Sequence, residues 1–256
     1  VLGDRYEIVS AVSTALFYKI PVAHLHGGEI TEGAYDDCIR HAITKMSHLH
    51  FTSTEEYRRR VIQLGEHPDR VFNVGALGIE NIKKVPLMSK KELEANLGGF
   101  TFDDKCLLVT YHPVTLENAT AAEQIRNLLS ALDELLDYKV IFTLPNSDTD
   151  GRVIIRLINE YAAKQPERVV VYPSLGLRRY LSALKYVKAV VGNSSSGIIE
   201  VPSFGIPTLN IGNRQKGRLA ADSVVNCGTC KEDIIVGLNK ILISGFISVS
   251  YTHLRA

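Results

Sequence analysis

The feature that most constrains this chain is a regular alternation in its second half. Short apolar, β-branched runs at 106–111, 139–144, 168–172, 189–191 and 207–211 read as strands. Amphipathic stretches at 121–137, 151–164, 177–186, 195–204 and 232–242 read as helices between and after them. In the first of these helices Ile125, Leu128, Leu129, Leu132 and Leu136 recur at helical spacing. Strand–helix repetition of this kind predicts a parallel sheet covered on both faces. The first half repeats the pattern in shorter form, with helices at 6–18, 36–47, 54–64 and 79–84 and strands at 21–25, 48–52 and 70–74. Composition turns polar over 89–99, which ends in Gly98-Gly99. Two α/β domains are therefore expected, 1–99 and 100–247. Residues 248–256 resemble a translated adaptor and are read as a non-native tail.

Composition narrows the partners. A net charge of +1 with no long basic run gives a nucleic acid nothing to bind. No apolar run approaches the roughly 18–20 residues that span a bilayer, so no membrane partner is expected. No signal peptide is evident, and the chain opens Val1-Leu2-Gly3 without a methionine. The four cysteines include one Cys-x-x-Cys, Cys227 and Cys230, with no second pair or close histidines to complete a zinc site. Reduced, cytoplasmic thiols are the reading.

Strands of a parallel sheet deliver ligands to their carboxyl ends. Here those ends are polar: Tyr111-His112-Pro113, Pro145-Asn146-Ser147-Asp148, Gly192-Asn193-Ser194 and Gly212-Asn213-Arg214. The densest is Gly192-Asn193-Ser194-Ser195-Ser196-Gly197-Ile198-Ile199-Glu200. A strand, a small-residue turn and a helix start would aim backbone N–H groups and serine hydroxyls at one point. Glu200, four residues after Ser196, would share its helix face and accept bonds from sugar hydroxyls. The plainer reading is a serine cap beside a glycine turn. Asp148-Thr149-Asp150 is read as a helix cap.

The first half carries His24-Leu25-His26-Gly27-Gly28-Glu29 at a strand end. Alternation sends His24 and His26 to one face, and the glycines admit a ligand to the backbone. Two histidines and a carboxylate suggest acid–base chemistry, against a structural or His-x-His zinc role. Asp4-Arg5 follows another strand end, and Arg5 suits a phosphate. In the helix opened by Asp36-Asp37, Asp36 and Arg40 stand four apart, as do Asp37 and His41. One aspartate is an acid or base candidate and the other a first-turn charge.

These residues resemble a known family. His24–Glu29, Asp36-Asp37-x-x-Arg40-His41-Ala42-Ile43-Thr44-Lys45, His112-Pro113-Val114-Thr115, Asn193-Ser194-Ser195 with Glu200, and Arg214-Gln215-x-Gly217-Arg218 are similar to the hydrolysing UDP-N-acetylglucosamine 2-epimerases of sialic and legionaminic acid synthesis. The resemblance runs from about Gly3 to Leu242. It implies an α/β fold of two Rossmann-like domains resembling type-B glycosyltransferases, with the N-terminal domain incomplete by roughly its first hundred residues. It also implies no metal or nicotinamide cofactor, a nucleotide-sugar substrate, and a homo-oligomer, dimer or tetramer, at full length.

Carried across, Arg5, His112, Asn146, Ser194, Ser195, Glu200 and Arg214 would hold the nucleotide diphosphate, with His112 also in the catalytic set. Asp4, His24, His26 and Asp36 would surround the sugar. Family members with a glutamate in place of His26 leave the C2 base open, and Glu29 is a second candidate. The C2 proton of an N-acetylhexosamine becomes removable only as the anomeric C–O bond breaks, so such a site needs a diphosphate cradle and a base near C2. A type-B glycosyltransferase would need an acceptor, and the His-Gly-Gly-Glu loop argues against it. The 36–45 match disfavours a non-hydrolysing 2-epimerase. A nucleotide-sugar binding module is the non-enzymatic alternative.

Overall fold

The computed structural model describes residues 1–32, 34–114, 120–145 and 150–243. The chain divides into two compact units. One comprises Val1–Asn81 with Lys216–Arg218, and the other comprises the remaining described residues from Ile82.

The first unit holds a parallel sheet in the order β1 (Ala23–Leu25), β2 (Leu49–Thr52), β3 (Val71–Asn73). Leu2 adds an isolated parallel bridge to Leu25. Helices α1 (Tyr6–Phe17), α2 (Asp36–Lys45) and α3 (Glu55–Gln63) connect and flank these strands, and α4 (Leu77–Lys84) begins here. Val12, Val22 and Ile43 form a small core, with Ile8, Val9 and Ile39 packed against it. Thr54 caps α3 by accepting from the Tyr57 N–H at 3.2 Å.

The second unit is larger and doubly wound. After α5 (Lys90–Asn96) come β4 (Cys106–Thr110), α6 (Ala121–Leu132), β5 (Lys139–Thr143), α7 (Gly151–Lys164) and β6 (Val169–Tyr172). Then follow α8 (Gly176–Ala183), β7 (Ala189–Gly192), α9 (Ser196–Ile199), β8 (Thr208–Ile211), β9 (Val224–Cys227) and α10 (Lys231–Leu242). The six strands are parallel in the order β6-β5-β4-β7-β8-β9, so the winding reverses between β4 and β7. Strand residues alternate between two cores. Leu107, Val109, Val140, Phe142, Ala189 and Val191 face α6, α7 and α10. Cys106, Leu108, Ile141 and Val190 face α5 and α8. Burial on both faces is what an apolar run without alternation demands.

Three differences from the expectations have physical causes. The compact units divide after Asn81 rather than at 99, because Met88, Leu93 and Leu97 belong to the second unit's core. The strand β9 was not expected: at four residues, with Asn226 exposed, it carries little apolar signal. The helix expected over 195–204 is a single turn, α9, followed by a 3-10 turn at Val201–Phe204. Pro202 has no N–H for the carbonyl of Ile198 and ends the α-helical ladder. Asp150 occupies the N-cap position of α7 in a left-handed conformation, without a side-chain cap bond; Asp148 and Thr149 lie outside the described residues. Cys230, by contrast, caps α10, its sulfur accepting from the Asp233 N–H at 3.5 Å.

Candidate functional site

Two clusters gather the chemistry, one in each unit. In the second unit β4 and β7 are neighbours whose connections lead to opposite halves of the sheet. Such a reversal opens the loops at the strands' carboxyl ends, where doubly wound sheets take ligands. Asn193, fully buried, ties the two loops together. Its Oδ1 accepts from the His112 N–H at 2.7 Å, and its Nδ2 donates to the His112 carbonyl at 2.8 Å. The Asn193 carbonyl accepts from Arg214 Nη1 at 3.2 Å and Gln215 Nε2 at 2.9 Å, which brings in the loop after β8.

A pocket of about 410 Å³ lies beside this junction, with Thr110, Thr143, Tyr180, Ser194, Ser196 and Glu200 in its wall. Ser194 and Ser196 hydroxyls stand 3.2 Å apart, and the Tyr180 hydroxyl lies 2.7 Å from Ser196 Oγ. Ser195 precedes α9 in helical conformation, and its side chain makes no cap bond. Glu200 and Ser196 both line the pocket, Glu200 as the cap that ends α9. Burial pushes the Glu200 carboxyl up to about 7. His112 is buried. Asn146 lies outside the described residues.

In the first unit β1 ends at Leu25, and His26 takes a left-handed conformation with φ 65°. That turn breaks the strand alternation, so His24 and His26 do not share a strand face. His24 is fully buried, with Nδ1 3.1 Å from Thr44 Oγ1 and Nε2 3.0 Å from the Gly3 carbonyl. Burial lowers it to about 4, which keeps the ring neutral. His26 Nδ1 is 2.7 Å from Glu29 Oε1. Burial would raise the Glu29 carboxyl, but Arg218, His26 and Arg40 outweigh it and hold it at about 2. An ionised carboxylate only accepts, so Nδ1 carries the proton and donates. Nε2 accepts from the Leu77 N–H at 3.4 Å.

The hub of this cluster is Arg40, which is 1% exposed. Its guanidinium donates to the Glu29 carbonyl at 2.8 Å, Thr31 Oγ1 at 2.8 Å, Asp37 Oδ1 at 3.1 Å and Asp4. The spacing suggested Asp36 as the helical partner of Arg40; the folded pairs are Asp37 and, across the unit, Asp4. Asp36 is buried in the first turn of α2. Arg5 precedes α1, with Nη2 3.4 Å from Glu7. Arg218 Nη1 lies 3.1 Å from Glu29 Oε2. Arg40, Arg218 and Tyr180 were missing from the expected site. Both arginines lay inside the quoted motifs, whereas nothing local marks Tyr180. Among the described residues no group of three or more His, Cys, Asp or Glu side chains could hold a metal ion.

A doubly wound sheet with polar loops gathered at its reversal, together with a second parallel α/β unit, defines a Rossmann-like two-unit protein of the kind that takes nucleotides at strand ends. The chain belongs to the UDP-N-acetylglucosamine 2-epimerase family, whose model matches residues 1–252. It is 46% identical over 226 residues to the GDP/UDP-N,N'-diacetylbacillosamine 2-epimerase (hydrolyzing) of Campylobacter jejuni, covering 88% of this chain and 59% of that protein. It is 45% identical over 250 residues to the polysialic acid biosynthesis protein P7 of Escherichia coli, covering 97% of this chain and 63% of that protein. The chain thus spans about three-fifths of the length of these relatives. The fold matches the Neisseria meningitidis UDP-GlcNAc 2-epimerase solved with UDP-GlcNAc, with a TM-score of 0.74 at 20% identity, over 94% of this chain and 66% of that one. Among the described residues no helix is long and apolar enough to cross a membrane.

Proposed function

We propose that the protein is a hydrolysing 2-epimerase, converting a UDP-linked 2-acetamido sugar to the free 2-epimer and UDP. The observation that carries this reading is the His26–Glu29 pair, an imidazole with one nitrogen anchored on a buried carboxylate and the other an acceptor, in a chain of this family. Relatives named as hydrolyzing 2-epimerases support it.

In this reading Ser194, Ser195, Arg214 and Arg5 hold the diphosphate, and Glu200 accepts from ribose hydroxyls. As the C1–O bond breaks, its electron pair leaves with UDP, and His26 Nε2 takes the C2 proton. The product is a 2-acetamidoglucal. Water then adds its oxygen at C1 while C2 gains a proton on the opposite face from Asp4 or Asp36 as acid; the proton that water sheds restores that acid, and His26 releases the C2 proton to solvent. His24, fully buried between Thr44 and the Gly3 carbonyl, orders the Gly3-Asp4 turn rather than exchanging protons. Glu29, held at about 2, orients His26 and is too weak a base to serve itself.

The test is incubation of the whole protein with UDP-N-acetylglucosamine, and separately with its diacetamido analogue, in D₂O. NMR is expected to show free 2-epimer, UDP and one deuterium at C2. Return of a nucleotide-linked epimer would mark a non-hydrolysing enzyme, and no reaction without an acceptor would point to a glycosyltransferase. Comparing the two sugars decides the substrate. Mass measurement of the whole protein in solution is expected to show a dimer or tetramer.

A further inference from the structure

We propose that Arg218 is a positioning residue that acts through Glu29 on His26, and not a ligand of the substrate. The inference rests on the reaction proposed above. Every guanidinium nitrogen of Arg218 is directed at a protein oxygen. Nη1 pairs with Glu29 Oε2 at 3.1 Å, and Nε and Nη2 each lie 3.4 Å from Thr31 Oγ1. Arg218 and Glu29 side chains are 10% and 6% exposed. The other carboxylate oxygen, Oε1, holds His26 Nδ1 at 2.7 Å and accepts from Ser53 Oγ at 3.2 Å. The carboxylate is therefore a bridge with the arginine on one side and the imidazole on the other.

Three consecutive residues fix this approach. The Lys216 carbonyl accepts from the Glu32 N–H at 3.0 Å, and its ammonium pairs with Glu32 at 3.0 Å. Gly217 has φ 87°, and a β-carbon there would collide with the Ile30 side chain. Only glycine lets the segment lie so close, and Arg218 follows it directly.

The consequence is electrostatic. The titratable and charged groups around Glu29 are His26 on its own loop, Arg218, and Arg40 from α2, whose charge is shared with Asp4 and Asp37. From α3, Arg60 donates to the Gly28 carbonyl at 2.6 Å. Of the purely coulombic attractions at Glu29, that of Arg218 is the largest. Without it, burial is opposed by His26 and Arg40 alone, and the carboxyl moves toward the neutral acid. A neutral carboxyl has a proton of its own and no longer compels Nδ1 to donate, so His26 loses its fixed tautomer.

The test joins ¹⁵N-histidine NMR to steady-state kinetics for the protein, Arg218→Met and Arg218→Lys. His26 is expected as the Nδ1–H tautomer in the protein and as a mixture in Arg218→Met. In that variant kcat should fall roughly ten- to a hundred-fold, the usual cost of losing an orienting partner, with KM unchanged. Arg218→Lys keeps the charge and should restore the tautomer and part of kcat. It carries the test alone if Arg218→Met does not fold. A raised KM with kcat intact would make Arg218 a substrate ligand and overturn the proposal. So would an unchanged His26 signature in a slowed Arg218→Met enzyme, or loss of the tautomer in Arg218→Lys. If the protein does not epimerise any nucleotide sugar, the proposed reaction fails, while the ¹⁵N signature still decides the link from Arg218 to His26.

Discussion

Gly192 has no room for a β-carbon. It ends β7 with φ 134°, and an added methyl would land on the Thr110 carbonyl of the neighbouring strand. Gly192→Ala is therefore expected to cost on the order of 2–4 kcal/mol, from backbone strain and collision together, read as a lower urea midpoint. The approach it permits is what lets Asn193 reach His112. Glu200 makes a second residue-scale prediction. Its carboxyl sits at about 7 when folded, against 4.5 ordinarily, so the folded protein binds the proton more tightly. Its contribution is present in full below pH 4.5 and is lost as pH rises to 7. Glu200→Gln should flatten this slope, up to about 3 kcal/mol in all, in urea titrations between pH 4.5 and 8. If the ionised form accepts from ribose, UDP should bind more tightly from pH 6 to 8, and Glu200→Gln should lose that rise. Calorimetry at the two pH values measures it.

At the scale of elements, α2 matters for what it points inward. Its sequence alternates apolar and charged positions, and Ile43 packs in the small core as the pattern predicts. Arg40, on the same helix, is equally buried and joins α2 to the turn before α1 and to the loop after β1. Arg40→Leu leaves Asp4 without that partner and should destabilise the protein by about 3–5 kcal/mol, measured by chemical denaturation. Arg40→Lys keeps the charge but not the fork and should fall between the two. The switch-point loops have a similar economy: one asparagine joins β4 to β7, and its carbonyl collects Arg214 and Gln215.

For the molecule as a whole, burial is unequal. The second unit has two apolar cores, drawn from both faces of one sheet and lying wholly within its own residues. The first has, among the described residues, a small cluster of Val12, Val22 and Ile43 with a few neighbours, and scattered buried side chains such as Val61 and Val71. At about 1.5–3 kcal/mol per buried large side chain, the second unit holds most of the stability. Residues 82–243 alone are therefore expected to fold and to retain weak UDP affinity. Starting at 100 instead would remove Met88, Leu93 and Leu97 from the core and should leave the sheet unstable. Circular dichroism and UDP titration of the two lengths distinguish these outcomes.

Strand and helix order, the parallel sheet and the family were legible in the sequence because each is written in local pattern. β-branched runs, helical spacing and ordered motifs survive without knowledge of the fold. Ser194 and His26 were singled out the same way, as polar residues at strand ends, and Glu200 by its spacing from Ser196. What only the tertiary structure decided was partnership. Arg40 could be matched by spacing to Asp36, but folding gave it Asp4, thirty-six residues away. His24 and His26 alternate in sequence, yet a left-handed turn at His26 sends one into packing and the other to Glu29. Arg218 meets Glu29 across 189 positions (218 less 29) because Gly217 allows the backbone in. A chain's pattern reports which residues are buried or turned. Which charge neutralises which is fixed by distance in space, and that distance exists only once the sheets have formed.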